Sequence, residues 1–87
     1  MNSNQKPVHS IRLRGISASI FENKTKIESR DVTFHKVSVS RSYKEGEQWK
    51  STTSFGRDDL PVVTLVMQRA YEWILDTESK RTKEANE

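Results

Sequence analysis

Residues 32–55 read VTFHKVSVSRSYKEGEQWKSTTSF, and the period of two in this stretch decides the fold. From Val32 to Tyr43, one side of a strand carries His35, Val37, Val39, Arg41 and Tyr43. The other side carries Phe34, Lys36, Ser38, Ser40 and Ser42, so the two valines mark the core side. Lys44-Glu45-Gly46-Glu47 reads as a four-residue hairpin loop, with Gly46 available for a positive φ. Gln48 to Phe55 is the next strand, with Trp49, Ser51, Thr53 and Phe55 on one side and Lys50, Thr52 and Ser54 on the other. Its β-branched and aromatic residues suit a pleated surface.

Toward the N-terminus the alternation continues. Ile11 and Leu13, then Ile16, Ala18 and Ile20, are the inward candidates, and the two registers meet at Gly15. One extra residue there switches the parity, which predicts a bulge or sharp bend: one long bent strand or two short ones. Asn23 to Asp31 is hydrophilic and reads as a loop.

Toward the C-terminus the period changes. Leu60, Val63, Met67, Ala70, Tyr71 and Ile74 recur at spacings of three and four, and Val66 and Trp73 widen the stripe. This predicts a helix from Asp58 to about Glu78, capped by Asp58 or Asp59, with Pro61 in its first turn. The expected fold is α+β: a curved antiparallel sheet of three to four strands followed by one long C-terminal helix. Residues 11–76 form the domain, between a flexible N-terminal tail (1–10) and a flexible charged C-terminal tail (77–87).

Eighty-seven residues allow one domain, which buries about 60–65% of its unfolded surface. Such a small core predicts a homodimer, as does a helix stripe wide for so small a sheet. The absence of cysteine excludes a disulfide framework and a cysteine zinc site. No secretory h-region and no membrane-length apolar run is present, so a soluble cytoplasmic protein without a membrane partner is expected.

Charge is divided along the chain. Residues 1–57 hold eleven basic against five acidic residues, a balance of +6; residues 58–87 hold four against seven, or −3. A basic β-surface backed by an acidic helix suits a polyanion. Enzyme motifs are missing: there is no nucleophile elbow, P-loop or dinucleotide fingerprint, and no catalysis or cofactor is expected. His9 lies in the N-terminal tail, and His35 reads as a packed or surface imidazole. Asp58-Asp59 is more economically a cap than a metal site.

The binding candidates are side chains of the sheet. Lys36, Ser38, Ser40 and Ser42, with Lys50, Thr52 and Ser54 on the neighbouring strand, form an outward row. Small hydroxyls let a phosphodiester chain approach closely, and lysines neutralise it. Any one-sided sheet also shows water a polar face. Phe21, Tyr43 and Trp49 are candidate stacking platforms, and Phe21 and Trp49 read equally well as core. Phe55 and Tyr71 read as core. Arg12 and Arg14 alternate on the first strand, and Lys44 adjoins Tyr43; both places suit phosphate contacts.

With the segments Ile16 to Phe21, Val37 to Lys44 and Trp49 to Leu60 in this order, the chain resembles the single-stranded-DNA-binding fold of the transcriptional positive cofactor four type, including its small bacterial relatives. The resemblance covers about 65 residues and is architectural. The block Arg41 to Leu60 also resembles other small bacterial proteins, which imply no function. The family likeness implies a dimer whose sheets hold single-stranded DNA, in transcription or DNA maintenance. Lys36, Arg41, Lys44 and Lys50 match its basic sheet positions approximately. The chain lacks the more basic surface and Ser-rich arm of the eukaryotic members, and needs a split at Gly15 to supply their fourth strand. The alternative is a protein-interaction or assembly module that binds another chain through the sheet face or an edge strand.

Overall fold

The computed structural model describes residues 6–86, with side chains described through Lys80. The chain order is β1 (His9–Leu13), β2 (Ile16–Ile27), β3 (Arg30–Glu45), β4 (Gln48–Thr52), a 3-10 turn (Arg57–Asp59) and α1 (Leu60–Asn86). The strands form one antiparallel meander, β1-β2-β3-β4. The fold is thus α+β, a four-stranded sheet followed by one helix.

Each hairpin turns in two residues. At the first, the parity switch at Gly15 is a full reversal: Arg14 (φ 53°) and Gly15 (φ 80°) both occupy the left-handed region that a type I′ turn requires. Two separate strands result, β1 of five residues and β2 of twelve, and not one bent strand. A Cβ on Gly15 would also sit 3.4 Å from the Ser42 carbonyl oxygen, which lies where the turn crosses toward β3.

The second turn overturns the loop expected over Asn23 to Asp31. β2 runs to Ile27 and β3 starts at Arg30, joined by Glu28 (φ 52°) and Ser29 (φ 68°). No glycine or asparagine marks this turn, so the usual sequence signal is missing. In the third hairpin β3 and β4 pair up to Glu45 and Gln48, leaving a loop of Gly46-Glu47 in place of the expected four residues. β4 then stops at Thr52, short of Phe55. The Thr52 hydroxyl oxygen accepts the Ser54 N–H (3.1 Å), a local bond that competes with the ladder.

The helix lies across β2 and β1. Ile16, Ala18 and Ile20 of β2 and Val66 and Ala70 of α1 are fully buried. Ile11, Leu13, Val39, Phe55, Val62, Val63, Trp73 and Ile74 pack around them. Phe55 therefore belongs to the core margin as expected, but Tyr71 does not: it is 57% exposed. Leu60 and Met67 are also exposed, because the stripe is wider than the strip of sheet beneath it. Val37, expected inward, is on the helix side of the sheet yet exposed, since the helix does not reach over β3 there.

Arg41 and Asp59 fix the helix entrance. Asp59 Oδ2 accepts the Gly56 N–H (2.9 Å) and lies 3.2 Å from Arg41 Nε. Asp59 is thus the capping carboxylate, while Asp58 pairs with exposed Arg57 (3.1 Å). Farther along, Trp73 stacks flat on His9 (centroids 4.9 Å, 4°) and meets His35 edge-on (6.1 Å). His9 is therefore the first residue of a strand, inside the expected tail. The His35 side chain is packed, 2% exposed, between the carboxylates of Glu22 (3.4 Å) and Glu78 (3.8 Å).

The helix also continues past Glu78 to Asn86, where the apolar periodicity has stopped. Straight-chain residues of good helix propensity extend it, with an Asp76–Lys80 pair (3.4 Å) along the exposed side. Of the expected tails, residues 1–5 and Glu87 lie outside the described residues.

Candidate nucleic-acid interface

Cross-strand partners point to the same face of a sheet, so the register assigns every side chain. The helix side holds Ile16, Ala18 and Ile20, and with them Arg41, Val39 and Val37. The open side holds the alternate set. Arg12 faces Ser17, which faces Ser40; Ser10 faces Ser19, which faces Ser38. Phe21 faces Lys36, and Asn23 faces Phe34. Ser42 faces Ser51, and Lys44 faces Trp49.

The open face thus has three zones along β3. Serines and the arginine-bearing β1 edge occupy the middle. A shallow concavity of about 500 Å³ lies here, lined by Arg12, Arg14, Ser17, Ser19, Ser40 and Ser42 among others. At one end Lys36 Nζ is 5.9 Å from the Phe34 ring centroid, beside half-buried Phe21. At the other, Lys44 Nζ is 6.0 Å from the centroid of Trp49, which is 70% exposed. Each end therefore pairs an ammonium with an aromatic ring within cation–π range. Lys36 and Lys44 are eight residues apart on one strand, or about 26 Å at 3.3 Å per residue.

Of the residues singled out in the sequence, Arg12, Phe21, Lys36, Ser38, Ser40, Lys44 and Trp49 share this face. Arg14 adjoins it from the β1–β2 turn and lines the concavity. Three do not join them. Lys50 and Thr52 pair with Tyr43 and Arg41, which puts all of these on the helix side. Lys50 Nζ is engaged there by the Glu45 carboxylate. Tyr43 is half-buried under the Arg41 guanidinium (5.5 Å to the centroid) and is no open-face platform.

Hairpin parity explains the correction. With an even number of loop residues, even-numbered positions of β3 stand opposite odd-numbered positions of β4. This holds for a two-residue and a four-residue loop alike, so the row Lys36 to Ser42 continues into Ser51 and Trp49 and not into Lys50 and Thr52. The same parity brings in Ser51, while Phe34, on the Lys36 side of β3 by its period of two, joins the face as the ring beside Lys36.

Among the described residues no cluster of His, Asp and Glu is arranged to hold a metal ion, and no helix is long and apolar enough to cross a membrane. No protein-family model matches the chain, and neither a curated protein nor a solved structure matches it.

Proposed function

We propose that this protein binds single-stranded nucleic acid on the open face of its sheet, without a catalytic step. The observation that carries the reading is the pairing of a lysine with an aromatic ring at each end of a serine-lined middle zone. Bases stack on rings in a sequence-tolerant way, and lysines and hydroxyls follow the phosphates. The zones follow one strand, so an extended single strand matches them better than a stiff duplex does. Preference for DNA over RNA, a place in transcription or DNA maintenance, a cytoplasmic setting and a homodimeric state follow the architectural resemblance and belong to the proposal.

The test is fluorescence anisotropy with labelled single-stranded DNA, duplex DNA and RNA of equal length, at low and moderate salt. Tight binding to single-stranded DNA that collapses as salt rises is expected. Absence of binding at low salt, or binding indifferent to salt, overturns the reading.

A second reading, an interaction module, has an observation of its own. β4 ends opposite Arg41, and among the described residues no strand lies beyond β3 from Arg30 to Ser40. An extended segment of another chain can add there.

A further inference from the structure

Each residue of an antiparallel strand turns both its backbone groups to one side, and neighbours alternate. The Ser42 N–H donates to the Gly15 carbonyl (2.8 Å), so even-numbered residues of β3 bond toward β2. Thr33, His35 and Val37 therefore turn their N–H and C=O groups outward, where no strand lies among the described residues. Such a row is a template for one more strand.

The chemistry of the two flanks of this edge selects the strand that fits. Side chains of an added strand alternate between the flanks, as those of β3 do. On the open side its neighbours are the even-numbered residues of β3. Between Arg30 and Ser40 the charged ones are Arg30 and Lys36, both basic. No carboxylate among the described residues pairs with either. An added residue opposite Lys36 stands within cross-strand range of it, where a carboxylate is favoured and a second cation repelled.

On the helix side the neighbours include Thr33, Val37 and Val39. Val37 is exposed there, because α1 does not cover it. Two contacts align one flank of the helix with this part of β3: Asp59 meets Arg41, and Glu78 meets His35. Met67 and Tyr71 precede Glu78 by eleven and seven residues, spacings that return within about 20° of its direction. Both therefore point to the β3 flank, and they are 51 and 57% exposed. Arg69, Glu72 and Asp76 lie about a third to a half turn away, so this flank is free of charge from Leu60 to Leu75.

We propose that the β3 edge takes an extended segment of a partner protein in which apolar and acidic residues alternate. Its backbone completes the ladder at Thr33, His35 and Val37. Its apolar side chains lie against Val37 on the side of Met67 and Tyr71, and a carboxylate faces Lys36. This names the partner of the interaction-module reading and rests on that reading. A basic strand sets like charges together at Lys36, and a wholly polar strand leaves the apolar flank in water, so both are disfavoured.

The probe is a blocked peptide of about nine residues, a strand's length, alternating valine and glutamate. Valine–lysine and serine–glutamate peptides of the same length are the controls. All titrations use the full chain without nucleic acid, so their failure leaves the nucleic-acid reading standing. Calorimetry is expected to give the valine–glutamate peptide an affinity at least about tenfold above either control. Hydrogen exchange is expected to show the Thr33, His35 and Val37 amides protected only when that peptide is present. Lys36→Glu and Tyr71→Ser change exposed side chains and leave the ladder intact. The first is expected to make the valine–lysine peptide the tighter one; the second is expected to weaken the valine–glutamate peptide and not the serine–glutamate one.

Equal affinity for the valine–glutamate peptide and either control overturns the proposal while strand addition itself stands. Failure of every peptide to bind overturns it together with the interaction-module reading. Binding that leaves the three amides unprotected puts the peptide elsewhere and also overturns it. So do amides already protected in the protein alone, because another copy then holds the edge.

Discussion

Lys44 and Trp49 stand directly opposite each other across β3 and β4, with the ammonium 6.0 Å from the indole-bearing side chain's ring centroid and the ring 70% exposed. An exposed tryptophan held by a hairpin ladder has little packing to lose, so its removal reads out surface chemistry and not stability. Trp49→Ala is expected to weaken single-strand binding by about 1–3 kcal/mol while leaving the unfolding midpoint nearly unchanged. Anisotropy titration beside urea denaturation separates the two effects. Equal affinity in both proteins means that the ring stacks on nothing.

Lys36 and Lys44 lie on the open face and Lys50 does not. For single strands each neutralised phosphate adds about 0.7 to the slope of log affinity against log salt. Lys36→Ala combined with Lys44→Ala is expected to lower the magnitude of that slope by about 1.4. Lys50→Ala should leave it unchanged, because its ammonium is on the other side and held by Glu45. A larger loss from Lys50→Ala would place the binding surface on the helix side.

Asp59 receives the Gly56 N–H and sits 3.2 Å from Arg41 Nε, joining the helix start to β3. Asp59→Ala leaves a donor unpaired at the helix entrance and removes the guanidinium's carboxylate. It is expected to cost about 1–2 kcal/mol, with Asp58→Ala within about 0.5 kcal/mol of wild type. Urea denaturation of both variants checks the contrast. Equal costs would assign the cap to the wrong aspartate.

Glu28 and Ser29 hold left-handed conformations without the residues that favour them (φ 52° and 68°). Ser29→Gly relieves a side chain of that conformation and is expected to stabilise the fold by up to about 1 kcal/mol. Gly15→Ala, at φ 80°, is expected to do the reverse by a similar amount or more. Thermal unfolding of the pair shows whether the β2–β3 turn is as tight as described; a destabilising Ser29→Gly would argue for the longer loop.

Where the local pattern was strong, the fold was legible. The alternation around Val37 and Val39, the parity switch at Gly15 and the three-and-four spacing from Leu60 to Ile74 correspond to β3, the β1–β2 reversal and α1. The β2–β3 turn was hidden because neither Glu28 nor Ser29 is a residue that favours a positive φ, and the strands around them are charged. The helix beyond Glu78 was hidden because propensity, not an apolar stripe, extends it. On the open face, the shared side of Lys36, Ser38 and Ser40 was legible from period two within one strand.

What the sequence by itself determined is the alternation within each strand and the face of the helix that is apolar, because both are properties of neighbouring residues. Only the tertiary structure decided how much of each face is covered. The sheet is wide and α1 crosses it over β1 and β2, so Val66, Ala70 and Trp73 find cover while Met67, Tyr71 and Val37 do not. Likewise the strand pattern names Lys50 and Trp49 as opposite in parity, and which one shares a face with Lys36 follows from the even number of loop residues between the two strands and not from either strand alone. Hydrogen-bonded pairing across the Gly46-Glu47 turn fixes that relation, and it puts Trp49 beside Lys44 on the open face.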